Sequence, residues 1–239
     1  MTHAVWCAEF NFPMFLFCSR IRKRRGNCSS RVLGGIRVMN DQLRLDLDDD
    51  DPDAWRRPKF PERIFLGVRP DAAAAMLAEE TARQLRAASG LRGELLRRQR
   101  LHVTLQHIGD YKRLKSKVLF AADLVGAAIS MPPFEVVFDR AESFPAPPRR
   151  DRPRQYPAVL RGGSDALFEL HRLLAEAMRK LGLRPSDMFV PHMTMIYGDK
   201  AIAPQPVAPL RWTVREFLLI HSERGLTKHN ILGRWPLHG

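Results

Sequence analysis

Two short segments, Leu101-His102-Val103-Thr104-Leu105 and Pro191-His192-Met193-Thr194-Met195, carry one pattern of apolar residue, His, apolar residue, Thr, apolar residue. Each is followed shortly by Gly-Asp, as Gly109-Asp110 and Gly198-Asp199. Alternation with period two is the mark of a half-buried β-strand, because successive side chains leave the backbone on opposite faces. His and Thr therefore share one face, and their apolar neighbours share the face turned to the core. With eight His and six Thr in 239 residues, a His-x-Thr pair is expected by chance far less than once. Two pairs in matching surroundings point to a duplicated unit, and any fold for this chain must supply two such strands with polar faces free of the core.

The rest of the pattern is mixed. Arg63-Ile-Phe-Leu-Gly-Val68 reads as a buried strand, and Asp71 as the cap of a helix running through the alanines to about Arg86. Leu101–Ile108 is expected as a strand, Leu114–Ala128 as a helix and Phe134–Phe138 as the next strand. Pro and Arg make residues 145–157 a loop, with a strand over Tyr156–Arg161 and a turn at Gly162-Gly163. Asp165–Leu181 has the strongest helical period, with Leu167, Leu170, Leu174 and Met178 on one face, Ser164 or Asp165 as cap and Gly182 at its end. Pro191–Tyr197 and Val214–Ser222 complete the expected strands. Strands and helices interleave, which predicts a mixed α and β class rather than a bundle or sandwich.

Charge and cysteine divide the chain. Lys and Arg total 39 against 26 Asp and Glu, a net charge of +13, which favours a polyanionic partner. Residues 1–38 hold seven of the basic residues, one acidic residue and all three cysteines, Cys7, Cys18 and Cys28. The body has no disulfide framework, no Cys-based metal site and no thiol nucleophile, which suits a reduced, cytoplasmic setting. In the first segment the apolar stretch Phe10–Cys18 precedes the basic run Arg20–Arg25, the reverse of a secretory signal. Met39 stands where a second start would fall, and an acidic linker follows it. Residues 1–59 are expected to be a disordered extension and linker ahead of one domain over 60–239. Apolar stretches fall far short of the roughly 20 residues of a membrane-spanning helix.

Two imidazole–hydroxyl pairs suit one chemistry. A neutral imidazole takes a proton and an imidazolium gives one, both near neutral pH. Facing each other across a cleft, His102 and His192 would flank a phosphorus centre. One would deprotonate water while the other protonates the departing oxygen, and Thr104 and Thr194 would hold the non-bridging oxygens. The symmetric pattern does not say which imidazole does which. No acidic residue stands at ligand spacing beside them, so no metal or other cofactor is expected.

These strands resemble the signature of the two-histidine phosphoesterase superfamily, and more narrowly the bacterial RNA 2′,3′-cyclic phosphodiesterases, also called 2′-5′ RNA ligases (LigT-like). The likeness runs from about Pro61 to Gly239. It takes in Arg63–Val68, Leu167-Phe-Glu-Leu-His-Arg-Leu-Leu174, Phe189-Val-Pro-His192 and Leu232-Gly-Arg-Trp-Pro-Leu237. The resemblance implies an α+β bilobal fold, two pseudo-symmetric lobes of sheet and helix around a central cleft. It implies hydrolysis of RNA 2′,3′-cyclic phosphate ends to 2′-phosphates, with His102 as proton donor, His192 as proton acceptor and reversible 2′-5′ joining in some members. The partner would be RNA or an oligonucleotide with a cyclic phosphate end, with no membrane and no obligate protein partner. Action on a small cyclic nucleotide or a 2′-5′ oligonucleotide, and binding of RNA without turnover, are the alternatives.

Further residues are candidates of lower rank. Met195 and Tyr197 depart from the Leu and Arg that the family carries there; Tyr197 would bind substrate through a neutral hydroxyl. Arg149, Arg150, Arg152 and Arg154 would guide an RNA backbone, and Phe144 and Tyr156 would stack a base or pack the loop. His107 has the parity of Leu105 and is expected at the core edge. His171 is expected to be structural, Trp212 and Trp235 to be core, and His221, His229 and His238 to lie outside any site.

Overall fold

The computed structural model describes residues 58–146 and 154–239. The expected N-terminal extension and Arg149, Arg150 and Arg152 lie outside the described residues. Among the described residues, eight strands and three α-helices follow in chain order: β1 (Glu62–Val68), α1 (Ala72–Ser89), β2 (Val103–Tyr111), α2 (Ser116–Ala127), β3 (Phe134–Ser143), β4 (Tyr156–Gly163), α3 (Asp165–Lys180), β5 (His192–Gly198), β6 (Gln205–Val214), β7 (Glu216–Glu223) and β8 (Lys228–Pro236). The caps fall where the sequence puts them. Asp71 accepts from the Ala74 amide at 2.8 Å, and Ser164 from Leu167 at 3.3 Å. The left-handed backbone of Gly182 (φ 74°) follows α3.

The strands form one antiparallel sheet in the order β6-β3-β4-β5-β2-β1-β7-β8. It divides into two four-stranded halves with matching plans. β1-α1-β2 in one half corresponds to β4-α3-β5 in the other, and each motif strand is the innermost of its half. The two halves meet at a single registered pair, Val103 with Met193. The expected lobes are present, and the finding that refines them is this one-pair junction, which makes them a continuous ladder.

Two strands, β6 and β8, were not legible. They are the two edges of the sheet, where a missing N–H or a polar residue costs no ladder bond. Gln205–Val214 accordingly carries Pro206 and Pro209, and Lys228–Pro236 opens on the polar run Lys228-His229-Asn230 and buries none of its residues. Gly162-Gly163 is the end of β4 rather than a turn: a Cβ on Gly162 would lie 2.0 Å from the Val137 carbonyl of β3.

Core side chains come from both halves. Ile64, Leu66, Leu105, Leu160, Leu174, Met178 and Met193 join one cluster. α1 packs on β5 and β6 of the opposite half, and α3 reaches across to β2 as well as packing on β3 of its own half. Trp212 is buried and stacks on Phe138, whereas Trp235 is half-buried, stacking on Phe217. Phe65, Leu218 and Ile220 form a small separate cluster on the other face.

Candidate active site

Parity along the motif strands is broken by bulges, and the breaks build the site. In β2, Thr104 pairs with Gly67 and Gln106 with Leu66, so Leu105 is the extra residue of a bulge. In β5, Thr194 pairs with Val159 and Ile196 with Ala158, so Met195 is extra in the same way. After each bulge the alternation is inverted. Gln106 and Ile196 are buried, and His107 and Tyr197 turn outward to the cleft side. His107 is therefore not a core-edge residue. It occupies in the first motif the place that Tyr197 holds in the second.

Both motifs open onto one cleft of about 430 Å³, lined by His102, Thr104, His107, His192, Thr194 and Tyr197 among others. The imidazoles are anchored alike. His102 Nδ1 donates to the Arg100 carbonyl at 2.6 Å, and His192 Nδ1 donates to the Val190 carbonyl at 2.7 Å. A carbonyl only accepts, so each Nδ1 carries the hydrogen and each neutral ring keeps its lone pair on Nε2. Phe65 packs 4.8 Å from His102, and Phe144 packs edge-on 4.7 Å from His192.

Burial disfavours the charged ring. It pushes His102 down to about 4, against the Nδ1 hydrogen bond, and the nearby charges of Arg69 and His192 add to the effect. Burial likewise lowers His192, and the Arg161 charge adds to it. Both imidazoles are neutral near pH 7 in the free protein.

The walls are fixed by the Gly-Asp pairs. Asp110 is gripped by Arg63 through both oxygens (2.8 and 2.9 Å), and also by His107 (3.0 Å) and Arg224 (3.1 Å). The Arg63 guanidinium holds the Asp110 carboxyl well below the usual carboxylate range. Asp199 instead accepts from the Arg92 amide at 2.9 Å, tying the segment after α1 to β5.

A third histidine enters the cleft unannounced. His229, on the edge strand β8, lies 5.2 Å from His102, edge-on, and lines the same cavity. Its Nδ1 is buried with no hydrogen-bond partner among the described residues. Burial, followed by the nearby His102, pushes its pKa down to about 3. No spacing in the sequence marks it, because β8 has neither alternation nor an apolar run. Arg63, Arg100 and Ser222 also line the cleft without a sequence signal.

Other candidates are elsewhere. Tyr156 is on β4 opposite Gly198, outside the residues that line the cleft. Phe144 packs on His192 and lies under the Arg161 guanidinium (5.5 Å). Arg154 is exposed. His171 is buried, stacked on Phe189 at 4.4 Å and hydrogen-bonded by Gln106, a satisfied structural residue. His221 pairs with Glu62, and His238 is exposed. Among the described residues no three His, Cys, Asp or Glu side chains converge as a metal-binding set. No helix among them is long and apolar enough to cross a membrane.

The comparisons agree with this fold. The family model for the 2′-5′ RNA ligase superfamily matches residues 61–226. TT0787 of Thermus thermophilus matches with a TM-score of 0.58 at 19% identity, over 74% of this chain and 98% of that one. E. coli LigT complexed with 3′-AMP matches at 0.56 and 24% identity, over 75% and 99% of the two chains. The same protein in apo form gives 0.57 and 24%, over 74% and 98%. At these identities the solved structures establish the α+β fold. No curated protein matches the sequence.

Proposed function

The chain belongs to the 2′-5′ RNA ligase superfamily, and from that premise we propose that it opens RNA 2′,3′-cyclic phosphate ends to 2′-phosphates by acid–base catalysis between its two motif histidines. The observation that carries this reading is the matched anchoring of His102 and His192, each ring tied by Nδ1 to the carbonyl two residues earlier. Nε2 of each ring is left for whatever the shared cleft holds. A nucleotide-class ligand also suits the neighbour structures, since E. coli LigT was solved with 3′-AMP and with phosphate.

In this mechanism water attacks phosphorus in line with the 3′ oxygen. His192 Nε2 takes the water's proton as the new P–O bond forms. The P–O3′ bond breaks, its electron pair stays on the 3′ oxygen, and His102 Nε2 delivers the proton that makes it a hydroxyl. Thr104 and Thr194 donate to the non-bridging oxygens, and Tyr197 adds a neutral donor. His102 starts neutral in the free protein, so it must gain a proton as substrate binds, and the phosphodiester's negative charge favours that gain.

The test is hydrolysis of an oligonucleotide ending in a 2′,3′-cyclic phosphate, in EDTA, with the product isomer mapped. Turnover to the 2′-phosphate is expected, with His102→Ala and His192→Ala each lowering kcat about 10²- to 10⁴-fold. Loss of turnover on chelation, or full activity in either variant, would overturn the reading.

A further inference from the structure

A second cavity of about 410 Å³ opens off the catalytic cleft and shares Leu96, Arg100 and Tyr197 with it. Its size is within the range of small-ligand sites. One wall is the segment between α1 and the 3₁₀ turn Arg98–Arg100, laid along the free edge of β5 where β2 and β5 part after their single pair. Leu96 N donates to the Met195 carbonyl (2.8 Å), Asp199 N to the Arg92 carbonyl (3.0 Å), and Leu95 bridges Ile196. Gly93 lets the two backbones touch: its φ is 155°, and a Cβ there would lie 2.4 Å from the Tyr197 carbonyl. The wall is pinned from end to end, which a site needs and a surface dimple lacks.

The lining is cationic and incompletely paired. Arg100 stands at the mouth between the two cavities. Its Nε is buried with no hydrogen-bond partner among the described residues. A buried guanidinium N–H without an acceptor is costly, and a phosphate oxygen is the acceptor its geometry fits best. Arg97 lines the same cavity and is exposed, with no salt bridge among the described residues, while Glu94 is the carboxylate on the rim. Gln155 adds an amide, able to donate and accept, and Tyr197 adds a ring that is 44% exposed.

Building on the hydrolytic reading above, we propose that this second cavity holds the nucleotide immediately 5′ of the cyclic-phosphate end, with its phosphate on Arg100 and Arg97 and its base against Tyr197 and Gln155. An RNA 3′ end whose cyclic phosphate sits between His102 and His192 continues only in the 5′ direction, through one further phosphate. The cavity sharing the Arg100 and Tyr197 wall is where that phosphate and base meet a cation, an aromatic face and an amide together. A cyclic mononucleotide lacks that second phosphate, so the chain acts on oligonucleotide ends in preference to mononucleotides.

The experiment compares 2′,3′-cyclic AMP with the dinucleotide ApA ending in a 2′,3′-cyclic phosphate, using the full chain. Wild type is expected to show at least a tenfold higher kcat/KM on the dinucleotide. Arg97→Ala and Gln155→Ala, both at exposed positions, are expected to erase threefold or more of that advantage through KM while leaving the mononucleotide rate unchanged. Equal kcat/KM on the two substrates, or variants that lower both rates alike or neither, would overturn the proposal. Should wild type turn over neither substrate, the hydrolytic reading fails, and the subsite is judged by binding of ApA 3′-phosphate against 3′-AMP. Tighter dinucleotide binding that Arg97→Ala removes supports the subsite, and equal affinities sink it.

Discussion

The proposed chemistry turns on imidazoles kept neutral by burial. His102 has a pKa of about 4 and His192 lies below its ordinary value, so the free protein at neutral pH holds two bases and no acid. The form with His102 protonated and His192 neutral is populated only as pH falls. In the proposed mechanism a bound phosphodiester reverses that preference by pairing with the imidazolium. Since kcat/KM reports the free protein and kcat the complex, the optimum in kcat/KM should lie at lower pH than the optimum in kcat. Superimposable profiles for the two parameters would remove substrate-driven protonation from the mechanism. At this scale the placement of residues is legible where strand parity holds: His102, Thr104, His192 and Thr194 share the cleft. It is not legible at His107, where a bulge inverts parity, or at His229, which an unpatterned edge strand delivers from the far end of the domain.

Among the elements, the paired bulges do the most for the site. Each lets two consecutive apolar or amide side chains enter the core and then returns the strand to the cleft one residue later. Gln106, fully buried after the first bulge, shows what holds the inversion in place. Its amide donates to His171 Nε2 (2.8 Å) and the Ser186 carbonyl (3.1 Å), and its oxygen accepts from the Ser186 amide (2.8 Å). Gln106→Leu would fill the same space but strand these partners, so it should cost about 2 kcal/mol, read as a lowered urea midpoint with an unchanged slope. A midpoint equal to wild type would mean that water replaces the amide. The elements legible in the sequence were those with a buried face, above all α3, capped by Ser164 and ended before Gly182. The edge strands β6 and β8 were missed because proline and polar residues, tolerated there, look like loop.

For the whole molecule, the junction between the halves is a balance of weak and strong connections. The sheet contributes one registered pair, Val103 with Met193. The helices contribute more, because α1 lies on β5 and β6 while α3 reaches across to β2. Ala78, fully buried on the inner face of α1, is a place to test this. Ala78→Val should cost about 1–3 kcal/mol by overpacking and should also lower kcat severalfold at a temperature where the variant is fully folded. A destabilised variant with undiminished kcat would show that helix packing does not set the relation between the motifs. If it does, the gauge of the catalytic gap is kept on the far side of the sheet, in alanines and leucines that no nucleic acid ever meets. Grafting the polar constellation alone onto another β-scaffold would then copy the tools without the vice that holds them at working distance.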